Sequence, residues 1–262
     1  ILPFAAKDIG LSYSEVGFLV ATLHLSSTFA NAGSGLVVDV TGRRVIFQIV
    51  SLLIGGIAFA LFSAGPEVPV LVALVALIGI ATNLWHPAAI SFLSDLFPDR
   101  KGYALSLHVL GASLADSIAP LTAGVLIGWI AWQGTTFVGA LPSFLGALLL
   151  AVVLLRRDTG TDGKTKAQSI REYFGGIREM ITDKAVLNLC AMTGFRTATF
   201  NGLYVFLPLY LADVMRFPPV WIGASMTALQ LGAVLGTPVA GVASDRMSRR
   251  SIMVVALAFS TV

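Results

Sequence analysis

The sequence predicts an all-α protein that crosses a lipid bilayer several times, and three observations lead to this fold class. Hydrophobic residues make up 56% of the 262 residues and charged residues only 12%, about half of the roughly 25% that is usual in soluble domains. Apolar stretches repeatedly reach the roughly 20 residues that a helix needs to cross the hydrocarbon layer. These stretches are long and continuous rather than short and alternating, which favours helices over a closed barrel.

Seven apolar stretches of spanning length follow one another, and an eighth begins near the end of the sequence. They cover residues 16–38, 45–64, 68–93, 102–129, 135–155, 185–211, 221–243 and those from 251 onward. The polar interval between the fifth and sixth predicts three parts: an N-terminal transmembrane half (1–155), a linker (156–184) and a truncated C-terminal half (185–262). Apolar residues recur at helical spacing in the linker, which indicates an amphipathic helix on the membrane surface.

Lysine and arginine fall almost entirely into alternate loops. Fourteen of the seventeen lie in the linker and in the loops at 43–44, 100–101 and 246–250. The positive-inside rule therefore places the linker and these loops in the cytoplasm. The opposite loops hold only Lys7 and Arg216, and Arg196 lies inside a span.

Other classes of protein find little support in the sequence. The formal charge of +3 is dispersed among short loops, so we expect no nucleic-acid partner. The single Cys190 allows neither a disulfide framework nor a cysteine metal site. The sequence has no His-Glu-x-x-His pair and no Gly-x-Ser-x-Gly elbow, and residues 160–165 only mimic a phosphate loop. We therefore expect no enzyme activity, catalytic residue, cofactor or metal.

A ten-residue segment occurs twice, 206 residues apart. The matching positions are Gly35, Asp39, Gly42, Arg43 and Arg44 in the first copy, and Gly241, Asp245, Ser248, Arg249 and Arg250 in the second, where Arg246 follows the aspartate. The same displacement relates Gly17 to Gly223 and His24 to Gln230. The two halves are thus predicted to be parallel repeats, an organisation found in transporters whose halves rock about a central site.

The repeated segment resembles the signature loop of the major facilitator superfamily: Gly, three residues, Asp, two residues, Gly or Ser, then two basic residues. The resemblance covers essentially the whole chain and implies an incomplete major facilitator fold, with helices two to eight and parts of helices one and nine. It also implies that Asp39 and Asp245 hold the cytoplasmic side closed. Helix five, near Gly102, would receive Asp245, and helix eleven, outside the chain, would receive Asp39.

The residues of this signature also have a physical interpretation of their own. Asp39 and Asp245 end their helices at the cytoplasmic surface, where a helix C-terminus disfavours a carboxylate. Each therefore needs a cation or the N-terminus of another helix. Gly35 and Gly241 allow close approach of helices. The alternative is that Asp and Arg only mark a tight loop.

A second family pattern lies at residues 119–124, Ala-Pro-Leu-Thr-Ala-Gly. It is similar to the antiporter motif of helix five, Gly-Pro, two residues, Gly-Gly, with alanine in place of two glycines. The similarity implies proton-coupled export and gives Pro120 and Gly124 a role in it; close helix crossing and bending is the alternative. Residues 85–88, 100–102 and 106–108 locally resemble the fosmidomycin-resistance-like exporters of the same superfamily.

Arg196 and Asp116 are the clear charged residues predicted within the hydrocarbon layer, where such groups usually face a cavity and act on substrate or protons. Arg196 shares a helix face with hydroxyl and aromatic side chains, including Tyr204, and its guanidinium suits a carboxylate, phosphate or phosphonate. Asp116 is predicted to carry a proton, because burial favours the neutral form of a carboxyl group. A structural ion pair is the alternative for both.

Three histidines lie inside or near spans. His24 begins a polar stripe that ends at Asn31, and it is a candidate proton shuttle, with an inter-helix hydrogen bond as the alternative. His86 precedes a proline that would kink the helix and free the carbonyl of Asn83. His86 and Asn83 either satisfy that kink or face substrate. His108 is expected to be structural.

Together these features predict a secondary active transporter that works by alternating access and exports an anionic or amphiphilic drug-like compound in exchange for protons. Uptake of a small organic anion or sugar, and a non-transporting receptor or scaffold, are the alternatives. The expected partners are the lipid bilayer, the solute, protons and the missing helices of the same chain, which we expect to be monomeric when complete. By resemblance, we expect a multi-pass protein of the plasma membrane, the inner membrane in bacteria.

Overall fold

A computed structural model of the chain describes residues 1–157, 175 and 182–246, and these residues form helices and turns without a strand. The all-α fold class is thus confirmed. The helices are α1 (Leu2–Ile9), α2 (Tyr13–Thr41), α3 (Arg44–Phe62), α4 (Val68–Leu96), α5 (residues 101–129) and α6 (residues 132–153) within the run Lys101–Val153, α7 (Lys184–Asp213) and α8 (Pro219–Arg246).

Three helical stretches among the described residues are long and apolar enough to cross a membrane: Arg44–Phe62, Val68–Leu96 and Pro98–Val153. The last has 56 residues, enough for two passes. Helices α2, α7 and α8 have 29, 30 and 28 residues and therefore also have spanning length, but they carry more polar side chains. The predicted linker and its amphipathic helix lie largely outside the described residues.

Helices α5 and α6 are separated by a sharp break in the backbone. Ala131 takes φ 58° and ψ 178°, a region that usually only glycine occupies. The neighbouring side chains are anchored to α1, since the Trp132 indole N–H and the Gln133 side-chain amide both donate to Asp8 Oδ2 at 2.9 Å. The end of α1 therefore holds the turn between α5 and α6.

Helix α2 begins and ends at residues whose chemistry suits a helix end. The Ser12 hydroxyl accepts from the Glu15 backbone N–H at 3.3 Å, and the Ser12 backbone N–H donates to Glu15 Oε2 at 2.8 Å, forming a capping box. At the other end Gly42 takes a left-handed φ of 64°. Backbone geometry therefore calls for glycine at this position of the repeated signature.

Helix α4 is the centre of the N-terminal bundle. Helices α2 and α3 pack along it, and α3 also packs against α6. At the outer end a buried apolar cluster joins α1, α3, α4 and α6 through Ala5, Phe62, Leu71 and Trp132. Helix α5 packs mainly along α8, so it is the helix that joins the first bundle to the C-terminal helices.

Helices α2 and α4 cross at Gly79 without room for a side chain. A Cβ atom on Gly79 would overlap the Ser26 hydroxyl and the Leu23 backbone carbonyl. Small residues at such crossings let membrane helices pack closely. The position of α2 on α4 therefore depends on glycine at this point.

We expect Gly79→Ala to destabilise the full-length protein by about 1–3 kcal/mol, because the backbone of α2 must move to admit the methyl group. The midpoint of thermal unfolding in detergent should fall. Gly17→Ala on α2 is the matched control, since nothing lies within 4 Å of a Cβ atom there. Equal midpoints for the two variants would contradict the tight crossing.

Candidate functional site

The predicted halves meet at the outer ends of α2 and α7. The Tyr13 hydroxyl at the start of α2 donates to Asp213 Oδ2 at the end of α7, at 2.8 Å. One turn further along these helices, Val16 and Leu209 form a buried apolar cluster with Ala6 of α1. A hydrogen bond and an apolar contact thus join the halves on the side predicted to face outward.

A second contact joins α5 to α8 where their backbones cross closely. A Cβ atom on Gly124 would lie 2.5 Å from the Pro219 carbonyl oxygen, and one on Gly223 would overlap the Pro120 carbonyl. Both glycines are buried. The segment that resembles the antiporter motif therefore lies at the contact between α5 and α8.

Asp116 of α5 lies within electrostatic range of Tyr204 of α7. The Asp116 side chain is exposed, so the burial expected from the sequence is not seen, and it lies close enough to Tyr204 for an electrostatic interaction. Tyr204 stacks on Phe200, with 6.0 Å between the ring centres and 20° between the planes. The structure thus brings a carboxylate of the first bundle towards an aromatic pair of α7.

Arg196 lies about two turns before Tyr204 on α7, and its side chain is exposed. Within the described part of the chain it forms no ion pair with a carboxylate. Thr193 and Thr197 beside it are also exposed. The guanidinium is therefore able to offer its paired N–H groups to an oxyanion, and the alternative of a structural ion pair finds no partner among these residues.

The carbonyl that Pro87 leaves without a helical donor in α4 is satisfied by α2 rather than by a histidine. Pro87 cannot donate to the Asn83 carbonyl, and the Ser34 hydroxyl of α2 donates to that carbonyl instead, at 3.1 Å. The Asn83 side-chain amide donates to the Ser27 hydroxyl. Asn83 is therefore engaged in joining α4 to α2, and His86 is not needed to satisfy the kink.

His86 and His108 meet across α4 and α5. Their ring centres are 6.3 Å apart and their planes are inclined by 83°, while Trp85 lies roughly parallel to His108 at 6.5 Å. His24 and Asn31 are exposed on α2. The contact between His86 and His108 joins two helices, so the spacing of residues within one helix does not reveal it. The sequence therefore indicated three separate histidines.

Where α3 begins and α4 ends, on the side predicted to face the cytoplasm, Arg44 of the signature forms an ion pair with Asp95, a partner that the sequence did not indicate. Arg43 is exposed. No atom lies within 4 Å of a Cβ atom added to Gly35, so the predicted close approach is not seen there among the described residues. The described part of the chain leaves out the side chains of Asp39, Asp245 and Arg246, the surroundings of Gly241, and all of Arg249 and Arg250.

Sequence reasoning missed both partners of the outer hydrogen bond, Tyr13 and Asp213, because each lies just outside an apolar stretch. It also missed the role of Gly223. One signal was available for Gly223, since the repeat relates it to Gly17. For Tyr13 and Asp213, which are 200 residues apart, no local pattern points to the contact.

We expect Gly124→Ala to shift the full-length protein towards a state open on the outer side by about 1–3 kcal/mol, because the methyl group must push the two backbones apart. Distances between spin labels at the outer ends of α5 and α8 measure the shift. Gly128→Ala, one turn further along α5, is the matched control because nothing lies within 4 Å of its Cβ position. An unchanged distance distribution for Gly124→Ala would contradict the contact.

The outer hydrogen bond should depend on pH through Tyr13, which precedes the apolar stretch of α2. The hydrogen bond to Asp213, then desolvation and the Asp213 charge, raise the pKa of Tyr13 above its usual 10.0. A raised pKa means that the bond contributes below about pH 10 and is lost as the pH rises through the raised value.

The measurement is a pH titration of phenolate absorbance, in which the curve of the Tyr13→Phe variant is subtracted to leave the signal of Tyr13. The pKa of Tyr13 should be lower in Asp213→Asn than in the unaltered protein. Identical curves for the two proteins would contradict the hydrogen bond.

Comparison with known proteins places this chain in a family. The model of the Major Facilitator Superfamily matches residues 1–262. The chain is 24% identical to a puromycin resistance protein of Streptomyces alboniger, covering 90% of this chain and 56% of the relative.

Two further relatives are 25% identical to the chain. For a quinolone resistance protein of Staphylococcus aureus, the alignment covers 90% of this chain and 58% of the relative. For a chloramphenicol resistance protein of Streptomyces lividans, it covers 94% of this chain and 62% of the relative. The chain thus spans a little more than half the length of these relatives. The match over residues 1–262 confirms what the repeated signature indicated: the chain belongs to the Major Facilitator Superfamily.

Proposed function

We propose that the full-length protein is a secondary active transporter that exports a small anionic or amphiphilic compound in exchange for protons. Proteins of this family are membrane transporters, and the relatives are named for resistance to puromycin, quinolones and chloramphenicol. The observation that carries the proposal is the placement of Asp116 of α5 within electrostatic range of Tyr204 of α7. It links a titratable group of one half to an aromatic surface of the other.

Alternating access in this proposal starts from a state that is closed at the outer ends. The Tyr13–Asp213 hydrogen bond closes α2 on α7. The α5–α8 crossing adds a hydrogen bond from the Leu121 backbone N–H to the Thr227 hydroxyl, at 3.2 Å. Both contacts must break when the halves rock to open the outer side. The solute then enters from the cytoplasm while the outer side is closed, and it leaves on the outer side after the halves have rocked.

The proposed residue roles follow from chemistry and exposure. Asp116 takes up and releases the coupling proton, because it is a carboxyl group within a predicted span that is exposed and bonded to no other described side chain. Arg196 binds an anionic group of the solute, and Phe200 with Tyr204 stacks against its apolar part. Asn83 is left out of the solute site, because its side chain and carbonyl are engaged with α2.

The cytoplasmic gate of the proposal uses the repeated signature. Helices α5 and α8 run antiparallel, since Gly124 lies by Pro219 while Pro120 lies by Gly223. The same pairing of residues, continued towards the cytoplasm, supports a contact between the signature segment at the end of α8 and the start of α5, near Gly102. Asp39 would act in the same way on a helix beyond this chain.

In the cell, we place the complete protein in the plasma membrane as a multi-pass monomer with the linker in the cytoplasm. The distribution of lysine and arginine supports this orientation. The bilayer, the solute and protons are then its partners.

The test uses full-length protein in lipid vesicles with an imposed pH gradient, and it follows the flux of puromycin, chloramphenicol and a quinolone. We expect gradient-driven flux of at least one of them. Asp116→Asn should abolish the gradient-driven flux and keep exchange in the absence of a gradient, because the solute site remains while the titrating group is gone.

Asp99→Asn is the matched control, because Asp99 is exposed in the turn Pro98–Arg100 outside the spans; it should leave the flux unchanged. Flux that ignores the gradient and survives Asp116→Asn would end the proton-antiport proposal. Absence of flux for all three compounds would end the proposed substrate class.

A further inference from the structure

The two histidines of the first bundle lie at matching depth in neighbouring helices. His86 is ten residues before the end of α4 at Leu96, and His108 is seven residues after the start of α5 at Lys101. At a rise of 1.5 Å per residue these positions are about 15 and 10 Å from the cytoplasmic ends of their helices. The imidazole rings, 6.3 Å apart and inclined by 83°, therefore form a contact inside the cytoplasmic half of the bilayer.

We propose that His86 and His108 act as one proton-binding site, in which a proton on one imidazole disfavours a second proton on the other. Its role in coupling rests on the transport function proposed above. Two like charges at this separation disfavour each other, so a proton on one imidazole opposes a proton on the other. Interacting groups of this kind titrate as a pair rather than as two independent residues. Imidazole is the side chain whose charge changes near neutral pH.

The surroundings of the pair favour this assignment over simple packing. The kink beside His86 is already satisfied by the Ser34 hydroxyl, so the histidine is not required there. His86 is exposed and lines a cavity of about 370 Å³ together with the hydroxyls of Ser51, Thr82 and Ser143. His86 therefore faces open space on this side rather than a closed apolar contact.

Other ionisable groups on the packed helices do not take the place of this pair. Apart from Tyr13 and Glu15 at the start of α2, they are His24 and Asp39 of α2, Arg44 of α3, Asp95 of α4, Asp99 and Arg100 of the turn Pro98–Arg100, Lys101, Tyr103 and Asp116 of α5, and Asp245 and Arg246 of α8. Arg44 and Asp95 are paired with each other. The ionisable side chain in ring contact with His86 is that of His108. The step itself is a transfer of one proton from water to an imidazole nitrogen lone pair, and its return to water on release.

The direct test counts protons and needs no substrate. Full-length protein in detergent is titrated between about pH 8 and pH 5, the range in which imidazole changes charge. We expect the double variant His86→Gln/His108→Gln to take up one proton fewer than the unaltered protein. Each single variant should take up as many as the unaltered protein, because the remaining imidazole binds the proton alone. His24→Gln calibrates the contribution of a histidine without an imidazole neighbour.

A loss of two protons in the double variant, with one lost in each single variant, would show two independent histidines and overturn the pair. No loss in the double variant would show a neutral packing cluster and overturn it equally. In vesicles, the double variant should lose gradient-driven puromycin flux and keep exchange without a gradient; retained gradient-driven flux would overturn the coupling role. If the unaltered protein moves no tested drug, the transport proposal fails while the proton count still decides the pair.

Discussion

Where α5 crosses α8, Gly124 and Gly223 bring two backbones together with no side chain between them. Lipid tails are as apolar as the helices, so the hydrophobic effect does not press membrane helices against each other; van der Waals contact and hydrogen bonds must do so. A crossing of glycines gives the closest contact that two helices can make. The placement of α8, and through it of α7, depends on this contact, to which α7 adds the outer hydrogen bond from Tyr13.

Hydroxyl groups inside the N-terminal bundle serve mainly to satisfy the backbone. Ser34 donates to the carbonyl freed by Pro87, and the buried Ser51 donates to the Ala81 carbonyl at 2.6 Å. An unsatisfied backbone group in hydrocarbon is costly, so these side chains are committed to structure. Asp116 and Arg196 are ionisable, exposed and bonded to no other described side chain, so they are the better candidates for chemistry.

The fold class and the family followed from properties that are local in the sequence. The length of each apolar stretch is set by the thickness of the bilayer, which acts on every helix alone. The signature repeated at Gly35 and Gly241 carried the family resemblance, and a chain-wide family match confirmed it. The same local pattern did not reveal that Arg44 pairs with Asp95 of the next helix, because ion pairs between helices depend on how those helices are rotated.

The sequence by itself thus determined an all-α membrane protein of this superfamily and marked Asp116, Arg196 and the histidines as candidates. Only the tertiary structure decided which of these residues meet. It joined His86 to His108 and brought Asp116 towards Tyr204, and it engaged Asn83 with α2. The physical reason is that helical periodicity gives the face on which a side chain lies. Its partner lies on another helix, distant in the chain, whose position depends on crossings at glycines such as Gly79 and Gly124.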